Sequence, residues 1–256
     1  MQEKEIIITD KARWMGGVCL YGYDEENNGI RPIMVDGANN PTSLPRNFVE
    51  RIKPFQRVKF GFIRPQPAPP HTEDWVINGS YFPQIVGVLS EEERKTFLEK
   101  ILFPCLKGDH WGTEICYYRK SRGEDAPCIE PGKGKRSIIT IKPKSIISVS
   151  YESSETDEES VWPKGKIKLK FSDMKDEVYN LNITDLALRE YWAILRKGGL
   201  NDKDIGFNLQ RKLNDCEVFL RIGTGRAFTP RESDKPYCFL FITAIYSFPN
   251  YIDVSF

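Results

Sequence analysis

The chain has 256 residues, with 37 Lys plus Arg against 36 Asp plus Glu, and 12% of it is aromatic. That length can bury one large core or two small ones, and the even charge excludes a global basic field, so a polyanion site must arise from local segregation of charge. No apolar run approaches the ~18 residues a spanning helix needs, and the opening M-Q-E-K-E-I-I-I-T-D lacks the basic-then-apolar pattern of a secretory signal; a soluble cytoplasmic protein with no membrane partner is expected.

Alternation of apolar and polar residues predicts strands at residues 6–9, 18–23 and 57–63, each bounded by Gly, Asn, Asp or Pro. The run K-A-R-W-M-G-G-V-C-L-Y-G (11–22) brings Lys11 and Arg13 to a Gly pair at the start of a strand, and Arg31 precedes Pro32 in another extended segment. A strand flanked by guanidinium groups suits a barrel mouth that meets anions. P-Q-P-A-P-P (65–70) predicts polyproline II along a surface, leading into H-T-E-D-W-V-I-N (71–78), read as a last strand or barrel edge. Ser90 and Glu93 form a capping box before the apolar stripe Phe97, Leu98, Ile101 and Leu102, and Pro104 ends that helix. Residues 107–134 have no sustained period and read as a connection.

From Ser137 the order of elements becomes informative. A β-branched run (137–151) is broken at Pro143, as a strand bent at a corner would be. An acidic, Ser-rich loop (152–160), a hairpin from 166–171 and 177–181, and helices capped by Thr184 and Asn201 follow; strands at 217–223 and 237–247 close the sequence. Three strands, helix, two strands is the order of a five-stranded Greek-key barrel of the OB type.

Together with L-N-I-T-D-L-A-L-R (181–189), F-L-R-I-G-T-G-R-A-F (219–228) and F-I-T-A-I-Y-S-F-P-N-Y (241–251), the opening run resembles the bacterial dual OB domain-containing proteins. The resemblance implies two oligonucleotide/oligosaccharide-binding barrels and a link to nucleic acid in anti-phage systems, with no implied reaction. The expected fold is therefore mostly β with minor α: two OB-like small β-barrels, residues 1–89 and 136–256, the second with inserted helices, joined by a helical and irregular connection over 90–135.

Lys164, Lys166, Lys168 and Lys170 stand two apart, so in a strand all four share one face while Ile167, Leu169 and Phe171 face the core. Such a row can track phosphates, or it can be a solvated face or an edge that resists pairing; the acidic loop is placed to neutralise it. In L-R-I-G-T-G-R (220–226), Arg221 and Arg226 flank two glycines and a threonine hydroxyl, which suits either an anion or a turn needing positive φ. His71, Glu73 and Asp74 gather an imidazole and two carboxylates, suited to a proton or a divalent cation, or to a surface turn. Cys105, His110, Cys116 and Cys128 lack the paired C-x-x-C spacing of a structural zinc site, so reduced, buried thiols are expected, with no metal and no cofactor. Trp14, Tyr21, Tyr23, Tyr246, Phe248 and Tyr251 supply aromatic faces, most of them core and a few exposed for stacking.

The function expected is a sequence-tolerant nucleic-acid-binding module, RNA and DNA both open, with Lys11, Arg13, Arg31, the lysines 164–170, Arg221 and Arg226 on phosphates. The rivals are a metal-dependent nuclease or nucleotide-processing enzyme using His71, Glu73 and Asp74, and an adaptor for a protein partner; binding is favoured over catalysis.

Overall fold

The computed structural model describes residues 1–14, 16–119, 123, 125–154 and 163–252. The first half runs β1 (Gln2–Trp14), β2 (Gly17–Tyr23), β3 (Gly29–Val35), β4 (Pro41–Thr42), α1 (Arg46–Val49), β5 (Gln56–Pro65), β6 (Asp74–Ile77) and β7 (Gln84–Val88). Hydrogen bonding orders the strands β1-β2-β3-β6-β5, and β5 returns to β1, closing a ring. β3 and β6 are parallel while the remaining pairs of the ring are antiparallel, which is the path of an OB barrel. The H-T-E-D-W segment thus supplies an inner strand rather than an edge; β7, paired to β5, is the edge strand.

β1 closes the ring because it serves two neighbours: residues 2–7 pair with β5 and residues 7–14 with β2. The register shifts between Ile8 and Asp10. That bulge interrupts the alternation of faces, so Ile8, Thr9 and Asp10 are all buried, Ile8 in the barrel core and Thr9 and Asp10 against the second half of the chain. The predicted polyproline segment instead makes a tight turn, with Ala68 and His71 exchanging backbone hydrogen bonds of 3.1 and 2.8 Å. Two reciprocal hydrogen bonds outweigh the extended preference of the proline run.

The second half comprises α2 (Glu91–Lys100), β8 (Leu102–Phe103), β9 (Cys116–Arg119), β10 (Asp125–Ile129), β11 (Ile138–Ile141), β12 (Ser145–Glu152), β13 (Lys166–Ser172), β14 (Val178–Ile183), α3 (Leu186–Lys197), α4 (Asp202–Asn214), β15 (Glu217–Thr224) and β16 (Cys238–Phe248). Its sheet follows the same path, β12-β13-β14-β16-β15-β11, with β14 and β16 parallel. Where β1 is one bulged strand, its counterpart is cut in two at Pro143: β11 pairs with β15 and β12 with β13. The chain through residues 142–144 completes the circuit, and α4 packs on β12. The connecting region also contributes: β8 pairs with β11, and the β9–β10 hairpin pairs with β16.

Ser90 caps α2 with a reciprocal bond from Glu93, as its sequence requires, and Asn201 caps α4. At α3 the cap is Asp185 rather than Thr184, whose hydroxyl donates to the Ile242 carbonyl. Gly206 lets α4 lie against β12, since a Cβ there would stand 2.3 Å from the Val149 carbonyl oxygen. Alanine improves helix propensity by about 1 kcal/mol, yet we expect Gly206→Ala to lower stability by about 1–3 kcal/mol because the helix must lift off the strand. Urea unfolding checks this; an unchanged or raised midpoint would show that the helix shifts freely.

Three apolar cores result. One fills each barrel, and Leu186 at the start of α3 packs into that of the first. The third lies between the barrels, where Tyr21, Tyr23 and Phe55 meet Leu89, Phe97, Leu98 and Ile101 from the α2 region and Ile138 and Phe219 from the second sheet. No helix among the described residues is long and apolar enough to cross a membrane.

Asp185 is buried at this junction, accepting from the backbone N–H of Ala187 at 2.9 Å and of Ile245 at 3.2 Å. Burial pushes its pKa up from 3.8 to about 7. Between those values the folded protein holds a proton that the unfolded chain has released, so this group's contribution to stability is lost as pH rises from about 4 to about 7. Asp185→Asn keeps a good capping side chain and should remove that component. Parallel stability–pH profiles for the two proteins would contradict the raised pKa.

Candidate functional site

The opening run, the H-T-E-D motif and the L-R-I-G-T-G-R motif meet in space. Between the barrels is a cleft of about 280 Å³ whose walls include Arg13, Trp14, Cys19, Arg31, His71, Arg189, Thr224 and Arg226. The end of β1 forms one wall, its Arg13 backbone N–H donating to the Thr184 carbonyl at 2.9 Å. The end of β15 supplies Thr224, and the chain beyond it supplies Arg226.

The floor is organised by one carboxylate. Asp74, fully buried at the start of β6, accepts from Arg31 Nε at 2.6 Å and, on its other oxygen, from Arg226. Arg31 stands opposite Asp74 in the parallel β3–β6 pair, so the sheet itself sets this contact. Arg226 also lies over the Trp14 ring, 5.2 Å from its centroid. Two guanidinium groups share this carboxylate, Glu73 stands close enough to act on Arg31, and Arg13 adds an exposed cation at the rim. Arg31 Nη2, His71 Nδ1 and Thr224 Oγ1 are buried in the cleft wall without a protein hydrogen-bond partner. Buried polar atoms in this state are costly unless something else satisfies them.

The three residues singled out for acid–base or metal chemistry turn out to clasp the barrels together. His71 Nε2 donates to the Gly225 carbonyl at 3.1 Å; Glu73 accepts from the Ser137 backbone N–H at 2.7 Å and its hydroxyl at 3.1 Å; Asp74 holds Arg226. Each partner belongs to the other half of the chain. Burial, then the charges of Arg31 and Arg226, hold the His71 pKa well below its usual value, so the imidazole is neutral, with Nδ1 a bare acceptor. Burial raises the Glu73 pKa, against the opposing effects of Arg31 and the Ser137 hydrogen bonds. Among the described residues no group of three or more His, Cys, Asp or Glu side chains is arranged to hold a metal ion. Cys116 and Cys128 are cross-strand neighbours with sulfurs 2.7 Å apart, whereas Cys105 and His110 are turned to the carbonyls of Lys107 and Leu106.

Other expected phosphate ligands lie elsewhere. Arg221 has no exposed surface: it donates to Asp10 at 2.8 and 3.0 Å, to Tyr23 at 2.9 Å and to Thr140 at 2.7 Å. In this arrangement it joins the barrels. Lys11 spends its ammonium on the Glu50 and Ile52 carbonyls, at 3.2 and 2.9 Å. The strand register of the lysine row holds, with Ile167, Leu169 and Phe171 inward, Lys164, Lys166 and Lys170 exposed on the outside and Lys168 also turned outward. Lys168, however, is covered and ion-paired to Glu152 across the β12–β13 pair, which breaks a continuous phosphate track. Residues 155–160 of the acidic loop lie outside the described residues. The glycines of L-R-I-G-T-G-R do not adopt positive φ; a Cβ on Gly225 would press within 2.7 Å of the Phe241 ring, so close packing on β16 explains that residue.

Of the aromatics, Tyr21, Tyr23 and Tyr251 are buried and Tyr246 and Phe248 pack on the inter-barrel core, leaving half-buried Trp14 at the cleft. Arg189, in the first turn of α3, was not evident as a site residue. It donates to the carbonyls of Pro163 and Gly165 at 2.7 and 3.0 Å and also lines the cleft. The one available signal was a cation on an otherwise apolar helix face.

Two OB-type barrels sharing a basic cleft define a class of small-barrel binding architecture. The sequence model of the dual OB-containing domain family matches residues 4–245, and the chain belongs to that family. A search of curated proteins finds no match.

Proposed function

We propose that this protein binds single-stranded nucleic acid with little sequence preference, and that the cleft between its barrels receives a phosphate group. The observation that carries this reading is the convergence of Arg13, Arg31 and Arg226 beside Trp14, with buried Arg31 Nη2 and Thr224 Oγ1 left for a ligand. Guanidinium groups suit phosphate because their planar fork offers paired N–H donors, and an aromatic face at the rim stacks any base. The setting in a bacterial anti-phage defence system rests on the sequence resemblance and is proposed with it.

Fluorescence anisotropy of labelled oligo-dT and oligo-U tests the reading. Binding should weaken linearly in log salt, by a slope of roughly −0.7 per neutralised phosphate. Absence of binding to either oligonucleotide at low salt would reject it. That result would favour the adaptor reading, which has an observation of its own: the edge strand β7 and its approach expose Phe82, Ile85, Val86 and Val88, an apolar strip of the kind that pairs with another chain.

A further inference from the structure

Resting on the nucleic-acid reading, we propose that the cleft takes the terminal phosphomonoester of a strand rather than an internal phosphodiester. The unpartnered atoms set the requirement. Arg31 Nη2 is a donor, Thr224 Oγ1 can donate, and His71 Nδ1 is an acceptor because Nε2 already carries the hydrogen given to Gly225. A ligand that satisfies all three must offer acceptor oxygens and one shared proton. A phosphomonoester does so, since its second ionisation lies near pH ~6: the proton sits on phosphate and is donated to Nδ1, or sits on Nδ1 and is donated to the dianion. A phosphodiester has no such proton, and its oxygens would face the Nδ1 lone pair.

Shape and charge agree. Arg31, His71 and Thr224 line the cleft and are 4%, 3% and 7% exposed, so little of any of them reaches solvent. A phosphate there cannot carry nucleotides on both sides without the strand threading between the barrels, whereas a chain end can be inserted. At about 280 Å³ the space sits at the small end of ligand pockets, suited to one terminal nucleotide and not to a tract of several. Arg13, Arg31 and Arg226 set three guanidinium groups around the cleft to meet the negative charge of the ligand. Trp14, half-buried at the cleft, carries Arg226 on one face of its ring.

The test compares otherwise identical labelled oligonucleotides ending in 5′-phosphate, 3′-phosphate or hydroxyl at both ends, with a nucleoside monophosphate and inorganic phosphate as competitors. We expect one phosphorylated end to bind at least about tenfold tighter than the hydroxyl-ended strand, a difference of about 1.4 kcal/mol. Competition by the mononucleotide above inorganic phosphate would place the nucleoside in the same cleft, and equal competition would assign the preference to phosphate alone. Thr224→Val, close in shape, and His71→Phe should each lower the ratio of phosphate-ended to hydroxyl-ended affinity. Equal binding of all three ends would overturn the inference and leave the nucleic-acid reading standing; no binding of any strand would overturn the reading itself. A preference that survives in a folded Thr224→Val protein and in a folded His71→Phe protein would also overturn it.

Discussion

Replacing Arg221 by alanine should cost about 3–5 kcal/mol of folding stability, the range for breaking a buried ion pair by removing one partner. Asp10, 1% exposed, would keep the hydroxyls of Thr9 and Thr243 as donors but lose its guanidinium, and Tyr23 and Thr140 would lose the group they face. The loss should appear in urea unfolding as a lower midpoint. Because a buried charge pair repays little over apolar groups of similar volume, Arg221→Met combined with Asp10→Leu should recover much of the loss. A change below about 1 kcal/mol for Arg221→Ala would be the behaviour of an exposed pair and would contradict its placement at the centre of the junction.

The second large effect falls on binding. Arg13 is exposed and can be changed with little loss of packing; Arg226 is partly exposed, and its loss also opens the clasp to Asp74, which keeps Arg31. A hydrogen bond to a charged group contributes about 1.5–3 kcal/mol, so Arg13→Ala and Arg226→Ala should each weaken oligonucleotide affinity by about tenfold or more. Lysine at either position should restore part of it, since an ammonium supplies the charge but not the planar fork. Lys166→Gln with Lys170→Gln should leave affinity nearly unchanged, because Lys168 between them is committed to Glu152. The reverse pattern would move the site from the cleft to the outer face of β13.

The barrel path was legible because it is written in local pattern. The bend at Pro143 and the inward set Ile167, Leu169 and Phe171 follow from strand period and from the missing donor of proline, and the Ser90–Glu93 cap follows from its spacing. The roles of the arginines were less legible. Arg31, Arg221 and Arg226 look alike in a linear sequence, yet each is defined by a carboxylate at least 43 positions away, Asp74 or Asp10. The bulge that aims Asp10 at the second barrel has no composition signal. His71, Glu73 and Asp74 drew attention as a chemical cluster because they are adjacent along the chain, but their partners Gly225, Ser137 and Arg226 make them a clasp. The β9–β10 hairpin, hidden in a stretch without period, gains its order by pairing with β16.

The location of the bound strand can be read directly by photo-crosslinking an oligonucleotide that carries one 4-thiouridine near each end and mapping the adducts by mass spectrometry. We expect the modified residues to be those at the cleft, Trp14 and Phe241 foremost, together with the segment around Thr224 and Arg226. Adducts confined to the outer face of β13 around Lys166 and Lys170, with none at the cleft, would contradict a nucleic-acid site between the two barrels.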